Sequence, residues 1–102
     1  MINWPSHVQV LHVKYEVILK PRTEMKEDDG FCCDDRLLIC VCSDLPVQNQ
    51  IETFWHEIKH AVNCQMDLSD DSTEEDFVLR GAKGELAVMK DNPCLMEMFR
   101  LL

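Results

Sequence analysis

Apolar and polar residues alternate near the start of this chain. Val8 and Val10, then Val13, Tyr15, Val17 and Leu19, are set against Lys14, Glu16 and Lys20. Alternation with period two lays one face of a strand on a core. The phase slips by one residue near Leu11 and His12, which predicts either a bulged strand or two short strands. Pro21 ends the segment, and the polar stretch that follows closes on Asp28-Asp29-Gly30, a turn signal. Leu37 to Cys42 is apolar throughout, the pattern of a strand buried on both faces. Asp44 and Pro46 mark a loop, and from Val47 the period becomes helical. Ile51, Phe54, Trp55, Ile58, Ala61 and Val62 fall in a sector of roughly 120° on a wheel of about 100° per residue.

A second helix is predicted from Ser72 or Thr73 to Met89 or Lys90, with Phe77, Val78, Ala82, Leu86, Val88 and Met89 inward. Gly81 and Gly84 lower its propensity but let a neighbouring helix approach closely. Asp91-Asn92-Pro93 closes it. Asn92 can cap a short amphipathic tail carrying Leu95, Met96, Met98 and Phe99, with Pro93 at its first position. The expected fold class is α+β, with a small antiparallel or mixed sheet packed on two helices. The expected organisation is a single domain over residues 1–102, β-rich over 1–45 and helical over 47–102, since 102 residues can bury one modest core.

Charge narrows the partners. Nineteen acids against ten bases leave a formal charge of −9, which repels phosphate backbones and argues against direct nucleic-acid binding. Six of those acids lie between Asp67 and Asp76, the composition of a solvated turn. The start of the chain lacks the cationic and apolar regions of a signal peptide, and the longest apolar run, Leu37 to Cys42, is too short to span a bilayer. A cytoplasmic protein without membrane association is expected. In that setting Cys32, Cys33, Cys40, Cys42, Cys64 and Cys94 are expected to be free thiols, and their spacing lacks the pattern of a zinc knuckle.

The chemistry centres on His56-Glu57-Ile58-Lys59-His60, an H-E-x-x-H run inside the first helix. Residues four apart share a helix face, so two imidazoles so placed can reach one zinc ion, and the glutamate can hold and deprotonate a water. Both histidines fall opposite the apolar sector, beside Asn49, Thr53 and Asn63. No histidine follows His60, so a third protein ligand must be an acid. Wheel geometry slightly favours Glu74. Glu75 lies on the margin of the inward face and also fits a capping box with Ser72 as N-cap.

The run from Thr53 to Val62, followed by an acidic turn and a helix ending Lys90-Asp91-Asn92-Pro93, resembles the small zinc metallopeptidases of phage and bacterial genomes. These are H-E-x-x-H zincins with a glutamate third ligand, similar in core to the peptidases that cleave phage repressors. The resemblance covers about residues 37–95. It implies a minimal zincin-like core with Zn2+ between two helices, held by His56, His60 and Glu75, with Glu57 as the catalytic residue. Glu75 is preferred here because Val78 and Ala82 follow it at the pattern's spacing; Glu74, followed by Phe77 and Gly81, matches less well. Lys59 departs from the pattern, which has an uncharged residue before the second histidine.

The expected activity is hydrolysis of peptide bonds in a protein or peptide substrate, through a zinc-bound water activated by Glu57, in the cytoplasm of a host cell. The alternative is a zinc-stabilised, catalytically weak scaffold that acts by binding a host protein, as an inhibitor encoded by a phage or mobile element. Lys59, the acidic charge and the absence of a second lobe favour that alternative.

Overall fold

A computed structural model describes residues 2–102; Met1, the first residue of the expected domain, lies outside them. Strands β1 (His7–Val10) and β2 (Val13–Lys20) form an antiparallel hairpin with Val10 opposite Val13. The slip at Leu11 and His12 is therefore the turn between two strands. Leu11 has φ 57°, a left-handed conformation that costs a branched side chain roughly 1–2 kcal/mol. A short helix α1 (Arg22–Met25) leads to β3 (Gly30–Cys33) and β4 (Leu38–Cys42). The sheet order is β1-β2-β4-β3, with β4 parallel to β2 and antiparallel to β3. The fold is α+β with a mixed sheet. Neither α1 nor β3 is marked in the sequence pattern: Gly30-Phe31-Cys32-Cys33 has no alternation and no β-branched residue, and it is a strand because it pairs with β4.

All five residues of β4 are buried, as its unbroken apolar run requires. On one face Ile39 and Val41 join Val8, Val10 and Tyr15 beneath α2 (Val47–Gln65), which contributes Ile51, Phe54, Ile58, Ala61 and Val62. On the other face Leu38, Cys40 and Cys42 form a smaller cluster with Met25 of α1. Cys40 and Cys42 serve there as small apolar residues. All six cysteines are free thiols. No described helix is long and apolar enough to cross a membrane.

The second helical region departs from its wheel. It comprises α3 (Glu74–Asp76), a π-turn over Phe77–Gly81 and α4 (Ala82–Asp91). Its buried positions are Gly81, Gly84 and Val88, whereas Phe77, Ala82, Val78 (59% exposed) and Leu86 (70% exposed) face solvent. The inward face is set by contact with α2. A Cβ on Gly84 would lie 2.5 Å from Cγ1 of Val62, so only glycine permits this approach. A hydrophobicity wheel gives glycine no weight, and the extra residue in the π-turn shifts the phase.

Helix α5 (Cys94–Phe99) buries Leu95 and Met98 and sets Phe99 edge-on to Trp55, with ring centroids 5.6 Å apart. The side chain of Asn92 does not cap it. That carboxamide accepts from the Gln9 N–H at 2.8 Å and donates to the Gln9 and Val88 carbonyls at 2.7 and 2.8 Å. It thereby occupies the outer edge of β1 at Gln9.

Candidate metal and peptide site

Helix α2 sorts its residues by face as its periodicity predicts. His56 and His60 are exposed opposite the core, and Glu57, between them in sequence, is 6% exposed. The two Nε2 atoms lie 3.2 Å apart. Two imidazole nitrogens at about 2.05 Å from one tetrahedral ion would lie about 3.3 Å apart. His56, Glu57 and His60 together form a group that could hold a metal ion, with one ligand atom from each within 4.8 Å of the others.

Glu57 points towards the sheet. Its Oε2 would lie 3.3 Å from a Cβ on Gly30, so the absent side chain at the start of β3 leaves room for the carboxylate. The Glu57 side chain makes no ion pair among the described residues, and its carboxylate oxygens are not sealed from solvent but open to the adjacent cavity. Burial pushes its carboxyl above the usual carboxylate range, and the adjacent His56 and His60 pull it part of the way back. A cavity of about 310 Å³ opens here, lined by Asp29, Gly30, Glu52, Thr53, His56 and Glu57.

Strand β3 is the edge of the sheet beside this cavity. Cys42 N–H donates to the Asp29 carbonyl, so the alternation of the antiparallel ladder turns the N–H and C=O of Gly30 and Cys32 outward. Those groups accept or donate no hydrogen bond across that edge among the described residues. No spacing in the sequence marked this edge, since it exists only once β3 is recognised as a strand.

Lys59 pairs across to α4: its Nζ lies 2.8 Å from Oε1 of Glu85. Glu74 and Glu75 are both exposed on α3, outside the group formed by His56, Glu57 and His60. Val78 and Ala82, which support Glu75 in the resemblance, also face solvent. The capping box belongs to Thr73 and Asp76, not to Ser72 and Glu75: Asp76 N–H donates to the Thr73 hydroxyl at 3.1 Å, and Thr73 N–H donates to the Asp76 carboxylate at 2.9 Å. Glu75 is thus free of the capping role that competed with ligation.

A second polar group lies towards the far end of α2. Tyr15 donates to Asp34 at 2.6 Å and accepts from Gln65 at 3.1 Å, and the Cys32 thiol donates to the same Asp34 oxygen at 3.5 Å. Burial, then Asp34, pushes the Cys32 thiol far up, so it stays protonated. This network ties β2 and the end of β3 to α2.

No family model, curated protein or solved structure matches this chain.

Proposed function

We propose that this protein is a minimal zinc-dependent metallopeptidase, in keeping with its resemblance to small zincins, in which His56 and His60 hold the ion and Glu57 is the general base. The observation that carries this reading is the pair of exposed imidazoles at ligand spacing, with the largely buried Glu57 opening its carboxylate to the cavity beside them. A donor set of imidazoles and carboxylate suits zinc, which when bound lowers the pKa of water and polarises a carbonyl. Glu57 holds the attacking water and takes its proton, and the same carboxyl then delivers a proton to the leaving amine. The outward backbone groups of Gly30 and Cys32 give an extended protein or peptide substrate a strand to pair with. Glu75 is the proposed third protein ligand, with Glu74 as the alternative. The ion pair to Glu85 keeps the Lys59 ammonium from competing with the ion.

One observation favours the second reading, a zinc-stabilised scaffold that acts by binding a host protein. Glu57 already forms a three-residue group with His56 and His60, and as a ligand it would not serve as base. Zinc content by mass spectrometry, paired with digestion of a diverse peptide library, separates the two. His56→Ala and His60→Ala should each abolish stoichiometric zinc; full retention in either would sink the site. In Glu57→Gln, lost hydrolysis with zinc retained supports the peptidase, and lost zinc supports the scaffold. Glu75→Gln should weaken zinc binding severely and Glu74→Gln little; the reverse moves the ligand by one residue.

A further inference from the structure

We propose that the cavity beside His56 receives a basic side chain, lysine or arginine, from a peptide extended along β3. This names a substrate class for the site proposed above and rests on its reading as a site that engages an extended peptide. Three of the six lining residues, Asp29, Glu52 and Glu57, are carboxylic acids, and none is lysine or arginine. At about 310 Å³ the cavity is at the small end of ligand pockets, the scale of a side chain rather than a cofactor.

The three carboxylates differ in what already meets them. Asp29 is held by Arg22, whose Nη2 lies 2.8 Å from Oδ1; the same guanidinium donates to the carbonyls of Lys26 and Asp28, so its role there is to pin the turn before β3. This leaves Oδ2 of Asp29 open, on a side chain 60% exposed. Glu52 lies one helical turn before His56, is exposed, and has no ion pair among the described residues. Glu57 is more than nine-tenths buried, lines the same cavity and has no partner there. No Glu57 oxygen is sealed from solvent without a partner, so its carboxylate meets whatever enters the cavity. With a dication on the two histidines the charge of Glu57 is engaged. Glu52 and the free oxygen of Asp29 then remain at the rim to meet a cationic head.

Position along β3 fits the same occupant. Gly30 lines the cavity and is one of the two residues whose backbone groups face outward. A peptide strand paired at Gly30 passes the cavity mouth, and alternate side chains of that strand point to the helix side of the sheet.

The test is binding of acetylated, amidated Ala-Ala-Lys-Ala-Ala and its norleucine counterpart to the zinc-loaded full chain, followed by amide chemical shifts. The lysine peptide should bind about tenfold more tightly than the uncharged one, with the largest shifts at Gly30, Thr53 and His56. Glu52→Gln, at an exposed position that leaves the fold intact, should cut that preference to about threefold, and Asp29→Asn should cut it less. Equal affinities, binding of neither peptide, or an unchanged preference in Glu52→Gln would overturn the proposal. Incubating the same peptides separates it from the peptidase reading. Lysine-selective binding without cleavage keeps the pocket and removes the peptidase; cleavage without lysine preference does the reverse.

Discussion

At the β1 edge of the sheet the backbone of Gln9 is taken up by the Asn92 carboxamide, which accepts from its N–H and donates to its carbonyl at 2.8 and 2.7 Å. At the β3 edge the outward groups of Gly30 and Cys32 meet no partner among the described residues. A free strand edge is a template for another chain, and proteins ordinarily block it. Here Asn92, at the end of the second helical region, covers the β1 edge at Gln9, while the edge beside His56 and His60 stays open. The difference separates a structural edge from one fit for recognition, and a single side chain makes it.

Removing that side chain should have the largest effect. Asn92→Ala deletes three hydrogen bonds and leaves the Gln9 groups without their partner, which should lower stability by about 3 kcal/mol in a urea titration. A loss below about 1 kcal/mol would mean that water replaces the amide freely and that Asn92 does not close β1 at Gln9.

The open edge responds to a different change. A Cβ on Gly30 would meet Cγ2 of Thr53 at 2.6 Å and the Cys40 carbonyl oxygen at 2.9 Å. Gly30→Ala should therefore cost about 2 kcal/mol, because β3 or the start of the cavity must shift. The same substitution should narrow the cavity beside Glu57, so zinc-loaded protein should lose peptide affinity while zinc content stays unchanged. Unchanged stability and peptide affinity would show that the β3 edge tolerates a side chain there.

The smallest effect concerns the start of the helical region that carries Asn92. Thr73→Ala removes one half of the capping box and should cost about 1 kcal/mol. The other half titrates. Hydrogen bonds from Thr73 hold the Asp76 carboxyl below its ordinary value, so its contribution is present above the unfolded pKa near 3.9 and is lost as pH falls through the lower folded value. The urea midpoints of wild type and Asp76→Asn should differ at neutral pH and converge below about pH 4. A difference that persists in acid would remove the charge from the account of this cap.

Helix α2 was legible because its pattern is dense and local. Six apolar residues at helical spacing put both histidines outside, and the structure finds them there. The parallel pairing of β2 with β4, and strand β3 itself, were not legible, because Phe31, Cys32 and Cys33 carry no alternation and their strand state depends on a partner reached through a turn. The helical region after Thr73 was legible as helix but not as a face. Val78 and Leu86 look like core residues to a wheel, yet the helix turns its Gly84 side to Val62. Asn92 read as a cap because its neighbour is proline, while its side chain went to a strand more than eighty positions away in sequence.

Local pattern dictates what one helix can dictate: that His56 and His60 share an exposed face, and that Ile51, Phe54 and Ile58 are core. Those facts follow from residues within two turns of one another, where a fixed rise and rotation leave little freedom. Long-range packing set the rest. It brought Gly30 under Glu57, held Lys59 against Glu85, covered β1 at Gln9 with Asn92 and left the β3 edge open. It also left Glu75 on an exposed turn outside the histidine group. The three contacts among these join segments far apart in the chain, governed by which surfaces pack and which polar groups find partners, and no local period encodes that choice.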